Sequence, residues 1–183
     1  MSPPAAPSHA MALAAGLGLR MRPLTETTPK PLIEVGGRAL LDWGLDHLAR
    51  AGVADVVVNL HHLAPQVEAH LADRKAPAIH FSHESELLET GGGIAVALDL
   101  LGPDPFYVTN SDVIWLDGPE PALGRLAERW DDGAMDGLLL LHSTVEAYGY
   151  DGRGDFFVDP LGLLTRRPER DVAPFLFTGA QIL

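Results

Sequence analysis

Unbroken apolar segments alternate along this chain with segments in which apolar residues recur three or four positions apart. Residues 10–14 and 138–141 are examples of the first kind, which is typical of strands covered on both faces of a parallel sheet. On this pattern we expect strands at 10–14, 31–35, 56–59, 79–82, 106–109, 138–141 and 175–183.

Helical spacing is clearest after the second predicted strand, where Leu41, Leu45 and Leu48 share one face and Gly52 is placed to end the helix. Similar spacing predicts helices over 65–73, 94–101 and 123–130. Strands that alternate with helices favour an α/β fold in three layers, α/β/α, around a mostly parallel, Rossmann-like sheet. Ligands of such folds bind where the strands end.

The segment 149–168 departs from this alternation, and its short apolar groups predict an inserted hairpin. We find no internal repeat and no second domain, so residues 10–183 are expected to form one domain. Residues 1–9 hold three prolines and no periodic pattern. We predict that they form a disordered leader or a vector-derived remnant, because they lack the basic and apolar layout of a signal peptide.

Composition narrows the classes of partner. The formal net charge is −12, from 13 Lys and Arg against 25 Asp and Glu, which argues against a nucleic-acid partner. No apolar run approaches the roughly 20 residues that span a bilayer, so no membrane partner is expected. The chain has no cysteine, which excludes disulfides and thiolate metal sites and fits a cytoplasmic protein.

Cations gather in one loop rich in glycine and proline, at 16–32. Gly16 and Gly18 allow a tight turn whose backbone N–H groups can face an anion. Arg20, Arg22 and Lys30 add positive charge, and Arg can grip two phosphate oxygens at once. Because prolines stiffen the loop, we interpret it as a cradle for a polyphosphate.

Other interpretations of this loop fit less well. A P-loop requires Gly-Lys-Ser/Thr, which does not follow Gly16. The dinucleotide fingerprint requires a third glycine where this chain has Met21, and the prolines prevent a long helix after it. The remaining alternative, a basic surface loop without a ligand, conflicts with the acidic composition of the rest of the chain.

Two further segments can contribute to the same site. Asp112 follows an apolar strand, and Mg²⁺ in proteins is commonly held by one or two carboxylates together with phosphate oxygens. A plain turn aspartate is the alternative. The three glycines at 91–93 precede a predicted helix and permit close approach of a flat base; a flexible loop is the alternative there.

The pattern GxGxRxxPxTxxxPKP is met at every fixed position from Gly16 to Pro31. It resembles the signature of sugar-1-phosphate nucleotidyltransferases. The resemblance implies a nucleotidyltransferase fold, a nucleoside triphosphate and a sugar 1-phosphate as substrates, and a nucleotide sugar and pyrophosphate as products. It also implies Mg²⁺ as cofactor, with Asp112 as metal ligand, and catalytic roles for Arg20, Lys30 and Asp112.

Later segments are similar to one subgroup, the N-acetylmuramate 1-phosphate uridylyltransferases, which act in the recycling of cell-wall sugars. Its Glu-Thr-Gly-Gly-Gly form of the base-binding loop is matched at 89–93. This resemblance favours UTP and N-acetylmuramate 1-phosphate. The implied nucleotide-binding residues are Ala14, Ala15, Gly16, Gly18, Arg20, Glu89, Thr90, Gly91, Gly92 and Asn110, and the implied sugar-phosphate-binding residues are Lys30, Gly154, Asp155, Thr178 and Gly179.

The resemblance also implies a second metal-binding aspartate in a late segment. Nothing follows Leu183 to supply it, and Asp159 and Asp171 lie too early to match. We therefore expect a form truncated at its C-terminus, with incomplete metal binding and doubtful activity. The alternatives are an enzyme like mannose-1-phosphate guanylyltransferase, which shares the first motif, and an inactive nucleotide-binding module.

Overall fold

A computed structural model describes residues 6–183 of the chain. Strands and helices alternate through the first two thirds of this part, and strands dominate the last third. In chain order the elements are β1 (His9–Leu13), β2 (Glu34–Val35), β3 (Arg38–Ala39), α1 (Leu40–Arg50), β4 (Asp55–Leu60), α2 (Ala64–Leu71), β5 (Ala78–His83), α3 (Thr90–Leu101), β6 (Tyr107–Asn110), α4 (Ala122–Arg129), β7 (Leu138–Ser143), β8 (Phe156–Val158), β9 (Leu164–Arg166) and β10 (Phe175–Ile182).

The main sheet has the order β5-β4-β1-β6-β10-β8-β9, and β7 pairs with the other edge of β10. The strands β5, β4, β1 and β6 are parallel to one another, whereas β10 is antiparallel to β6, β7 and β8. The predicted α/β fold with a mostly parallel sheet is confirmed. No helix in residues 6–183 has the length and apolar character needed to cross a membrane.

Two apolar cores lie on opposite faces of the sheet. Alternate residues of β1 point to opposite faces, as the strand period requires, so Ala10 and Ala12 pack with Leu41 and Leu45 of α1. Met11 packs with Ala97 and other residues of α3 on the second face. The predicted three layers are therefore present, with α1, α2 and α4 on one side and α3 on the other.

A bulge interrupts the pairing of β10 with β7 between Phe177 and Gln181. Gly179, which lies in it, has φ +80°, a conformation that favours glycine. The Thr178 hydroxyl donates to the Leu140 carbonyl at 2.8 Å and so replaces a ladder hydrogen bond. Beyond the bulge, β8 and β9 form the hairpin that the sequence predicts within 149–168.

The structure differs from the sequence-based boundaries in three places. The segment expected as one strand at 31–35 begins with a 3₁₀ turn at Lys30–Leu32, and its remainder pairs only with β3. The helix expected from Ile94 begins at Thr90, so the three glycines form its first turn.

The leader predicted at 1–9 is the third difference. β1 begins at His9, Pro7 is buried, and the Ser8 carbonyl accepts a hydrogen bond from the Ala54 N–H at 2.8 Å. These residues are therefore part of the fold, because they extend the pairing of β1 towards β4. The rest of the predicted leader, at 1–5, lies outside the described residues.

Candidate active site

An open cleft of about 770 Å³ lies at the carboxyl ends of β1 and β6, the place that the fold class predicts for a ligand. Its walls come from three chain segments, 13–31, 87–90 and 110–112, together with Asn59 of β4. The lining residues are Leu13, Ala14, Ala15, Gly16, Gly18, Leu19, Arg20, Met21, Lys30, Pro31, Asn59, Leu87, Leu88, Glu89, Thr90, Asn110, Ser111 and Asp112.

The glycine loop is folded tightly on itself. Gly18 has φ +61°, and a Cβ at this position would lie 2.8 Å from Cγ2 of Thr25. Thr25 is buried and donates its hydroxyl to the Gly18 carbonyl at 2.8 Å. The His62 ring contacts the Thr25 carbonyl at 3.0 Å and ties the loop to the segment after β4. The backbone of the loop is therefore held in one shape at the edge of the cleft.

The two cations predicted to be catalytic both line this cleft. Arg20 is exposed and makes no ion pair with any residue in 6–183. Lys30 lies across the cleft against Asp112, and the Lys30 ammonium forms an ion pair with the Asp112 carboxylate. Arg22 is exposed on the same loop but does not line the cleft. Of its three cations, the loop thus presents one unpaired and one paired cation to the cleft.

Asp112 stands just beyond β6, held by the preceding residue. Ser111 donates both its hydroxyl and its backbone N–H to the Leu13 carbonyl, which fixes the end of β6 against β1. The Oδ2 atom of Asp112 contacts Lys30, and its Oδ1 accepts no hydrogen bond within residues 6–183. One carboxylate oxygen is therefore open towards the cleft.

This donor set fits Mg²⁺ in part. Within the described residues, no group of three or more acidic or histidine side chains could enclose a metal ion. Mg²⁺ is commonly bound by one or two carboxylates, with phosphate oxygens and waters completing an octahedron. Asp112 matches the first part of that description, and the adjoining cleft leaves room for the remaining ligands.

Residues 87–90 form the wall opposite the glycine loop. Leu87 and Leu88 expose apolar side chains to the cleft, which suits the flat face of a base. Glu89 directly precedes α3 but does not cap it. Its carboxylate makes no hydrogen bond to any residue in the described range. Gly91 and Gly92, predicted to face the base, lie within that turn and do not line the cleft.

One buried pair of side chains was not predicted from the sequence: Asn59, which lines the cleft, and Glu84, which does not. Asn59 accepts a hydrogen bond from the Ala14 N–H at 2.7 Å and donates to Glu84 at 2.7 Å. Glu84 also accepts from the Leu88 N–H at 2.9 Å. We call this pair the Asn59–Glu84 bridge. Its one signal in the sequence is a polar residue directly after the apolar run 56–58.

The residues assigned to the sugar phosphate lie outside the cleft lining, except for Lys30. The Asp155 carboxylate accepts from the Phe177 N–H at 2.9 Å, and Thr178 is bonded to Leu140. A Cβ on Gly154 would lie 2.1 Å from the Ala173 carbonyl oxygen. Gly179 packs on the side chain of Asn110, which does line the cleft.

A cluster of polar side chains around Asp117 has a structural role. Asp117 accepts hydrogen bonds from the Ala122 N–H at 3.0 Å and the Trp115 indole at 3.2 Å, and contacts the buried His47 ring at 3.0 Å. Burial by itself would raise the pKa of Asp117, but the hydrogen bond from Ala122 and the interactions with His47 outweigh it and lower that pKa. Asp117 therefore links α1 to the start of α4.

The chain is similar in sequence to known nucleotidyltransferases. The family described as nucleotidyl transferase matches residues 9–155. The chain is 47% identical over 182 residues to an N-acetylmuramate alpha-1-phosphate uridylyltransferase from Caulobacter vibrioides, covering 97% of this chain and 75% of that protein. It is 42% identical over 146 residues to a mannose-1-phosphate guanyltransferase from Aspergillus fumigatus, covering 77% of this chain and 39% of that protein.

Solved structures with low sequence identity share the fold. A UDP-glucose pyrophosphorylase complexed with UDP-glucose superposes with a TM-score of 0.77 at 16% identity, covering 96% of this chain and 75% of that one. An inositol-1-phosphate CTP transferase from T. maritima gives 0.79 at 15% identity, covering 98% and 71%. The resemblance carried by the glycine loop is thus confirmed over most of the sequence, and the chain belongs to the nucleotidyl transferase family.

Proposed function

We propose that this protein joins UTP to N-acetylmuramate 1-phosphate, giving UDP-N-acetylmuramate and pyrophosphate. The observation that carries the proposal is the placement of the glycine loop, with Arg20 and Lys30, directly across one cleft from Asp112. The choice of substrates is supported by the 47% identity to the Caulobacter uridylyltransferase. Both substrates are phosphorylated metabolites that cells retain, so we place the reaction in the cytoplasm.

The chemistry is an in-line displacement at the α-phosphorus of the triphosphate. An oxygen of the sugar phosphate forms the new bond to that phosphorus, while the bond to the bridging oxygen of the leaving pyrophosphate breaks. No protein nucleophile is required, so the protein acts by orienting the reactants and neutralising charge. Arg20, which is unpaired, is suited to the β- and γ-phosphates, and Lys30 to the α-phosphate and the incoming phosphate.

The ion pair between Lys30 and Asp112 prepares both side chains for this role. In the free protein the carboxylate holds the ammonium at the cleft wall, so the lysine does not have to be ordered when substrate arrives. Asp112 would hold Mg²⁺ through its open oxygen, and the ion would supply positive charge against the phosphate oxygens. Substrate phosphates would then take over Lys30 as a partner.

A second candidate is transfer of a guanylyl group to a sugar phosphate. It is favoured by the 42% identity to the Aspergillus mannose-1-phosphate guanyltransferase. The exposed Glu89 carboxylate at the cleft also offers acceptors for the two N–H donors on one edge of guanine, whereas uracil presents one such donor. Glu89→Gln separates the two candidates, because it weakens GTP binding strongly only if the carboxylate contacts guanine.

Release of pyrophosphate tests the proposal directly. The protein is incubated with Mg²⁺, each of UTP, GTP, CTP and ATP, and each of N-acetylmuramate 1-phosphate, mannose 1-phosphate and glucose 1-phosphate. We expect the fastest release with UTP and N-acetylmuramate 1-phosphate. Faster release with GTP and mannose 1-phosphate would replace the proposal by the second candidate. Nucleotide binding without release from any pair would identify an inactive binding module.

A further inference from the structure

The Asn59–Glu84 bridge joins two walls of the cleft. Its three hydrogen bonds run from the Ala14 N–H through both side chains to the Leu88 N–H. Ala14 lies between β1 and the glycine loop, and Leu88 belongs to the wall that faces the base. Glu84 is 6% exposed and Asn59 is 4% exposed, so water does not compete for these contacts.

The chemistry of the partners fixes the direction of every hydrogen bond in the bridge. A backbone N–H only donates, and an ionised carboxylate only accepts, so the Asn59 amide must turn its oxygen to Ala14 and its nitrogen to Glu84. No cationic side chain pairs with Glu84 within the described residues. The carboxylate instead lies at the first turn of α3, where the helix dipole favours negative charge.

The start of α3 packs directly on the bridge. A Cβ on Gly93 would lie 2.7 Å from Oε1 of Glu84 and 3.0 Å from Nδ2 of Asn59, which is too close for any larger residue without a shift. The third glycine of the segment 91–93 therefore serves close packing of the helix against buried polar groups. Glu89 and Thr90, at the start of the same helix, are positioned by this packing.

We propose that Asn59 and Glu84 are positioning residues, which set the distance between the glycine loop and the base-facing wall and thereby the affinity for the nucleoside triphosphate. The inference rests on the proposed nucleotide-binding role of the cleft. Neither side chain is required to touch the reacting atoms. A bridge with one mismatched hydrogen bond would move the walls relative to each other. Contacts one shell removed from a bound metal typically change its affinity by about 10- to 100-fold, and we expect an effect of similar size on nucleotide binding here.

An exchange of the two polar groups tests this. Glu84→Gln places an NH₂ against the Asn59 NH₂, and Asn59→Asp places two carboxylates against each other, so each single variant loses one contact. The double variant Asn59→Asp with Glu84→Gln restores all three hydrogen bonds with the central one reversed. We expect the Kd for UTP to rise about 10- to 100-fold in each single variant and to return to within about threefold of wild type in the double variant.

Controls distinguish positioning from stability. Glu86→Gln removes the same charge from an exposed side chain in the same loop and should leave the Kd for UTP unchanged. All Kd values are measured by calorimetry at a temperature at which circular dichroism shows each variant to be folded. Single variants that melt earlier but bind UTP as the wild type does would overturn the inference, because the bridge would then be structural only. A double variant that regains stability but not affinity would overturn it as well.

Gly93→Ala keeps the test decisive if the single variants do not fold. Alanine favours the helix, yet its Cβ displaces the Glu84 carboxylate, so weaker UTP binding by a folded protein is expected. Wild-type affinity in this variant would contradict the inference. If the wild-type protein binds none of the four nucleoside triphosphates, both the proposed function and the inference are overturned. If the wild type and all variants bind UTP equally well, only the inference is overturned.

Discussion

At the scale of single residues, Lys30 offers the sharpest test of the phosphate cradle. The chain has two lysines, of which Lys30 lines the cleft and Lys75 is exposed elsewhere. We expect Lys30→Ala to lower kcat about a hundredfold or more, since one preorganised charge is worth about 3 kcal/mol in the transition state. Lys75→Ala is the matched control. Steady-state rates of pyrophosphate release would show the assignment to be wrong if the two variants were equally active.

The backbone of the glycine loop leads to a second residue-scale prediction. Gly18→Ala forces a side chain into a left-handed conformation, against Thr25, and should lower the free energy of unfolding by about 1–2 kcal/mol or more. Gly16→Ala serves as the control, because nothing lies within 4 Å of its Cβ position and its φ is not positive. Urea denaturation of the free proteins measures both. Equal stability of the two variants would mean that the loop is not held as described.

At the scale of elements, substitution of Gly154 can show whether this residue has a structural role or contacts the sugar phosphate. Gly154 and Gly149 have nearly equal φ values of +71° and +70°, but only Gly154 has backbone atoms in the place of a Cβ. We expect Gly154→Ala to destabilise the fold by several kcal/mol, and Gly149→Ala by about 1 kcal/mol from backbone strain alone. Thermal melting of the two free proteins gives the comparison. A Gly154→Ala protein that melts normally but binds sugar phosphate poorly would restore the sequence-based assignment.

Asp117, which links α1 to α4, makes the free energy of unfolding depend on pH. The pKa of Asp117 is lower in the folded protein than in the unfolded chain. Its ionised form therefore stabilises the fold above the unfolded pKa, and this contribution is lost as the pH falls through the folded value. The difference in free energy of unfolding between wild type and Asp117→Asn should be largest near neutral pH and should shrink as the pH drops below about 4. A difference that grows on acidification would contradict the assigned shift.

At the scale of the whole molecule, binding of nucleotide should stabilise the fold. A ligand that binds only the native state at about 100 times its Kd adds about 2.7 kcal/mol, which raises Tm by roughly 5–10 °C for a domain of this size. We expect a larger shift with UTP than with GTP at equal concentration and saturating Mg²⁺. Differential scanning fluorimetry gives both values, and a larger shift with GTP would favour the guanylyl candidate.

Much of this architecture was predictable because its signals are local in sequence. The apolar runs of β1, β4 and β6 and the spacing in α1 fix the α/β class, and the glycine loop carries its chemistry within one short segment. The Asn59–Glu84 bridge was not predictable in this way. It exists only because β4 and β5 pair in parallel, with Asn59 opposite Ser82, so residues 25 positions apart come together.

The same limit applies to the second half of the sheet. The periodicity of β10 identifies a buried strand but not its direction, and its insertion between β6 and β7 depends on contacts with both. The segments Gly154–Asp155 and Thr178–Gly179 each contain a glycine with positive φ. From the sequence alone, a glycine needed for such a backbone conformation cannot be distinguished from a glycine that contacts a ligand. The structure assigns hydrogen bonds within the fold to them, and their part in sugar binding stays a prediction.

The placement of β10 also has a consequence for biosynthesis. β10 lies late in the sequence but in the interior of the sheet, and the backbones of Leu183 and Phe106 exchange two hydrogen bonds, of 3.0 and 3.1 Å. On the ribosome, β1, β4, β5 and β6 emerge well before the strand that covers the open edge of β6. At about 5–20 residues per second, that edge is unpaired for several seconds. An exposed strand edge is a template for association, so we expect the nascent chain to be most prone to association during this interval.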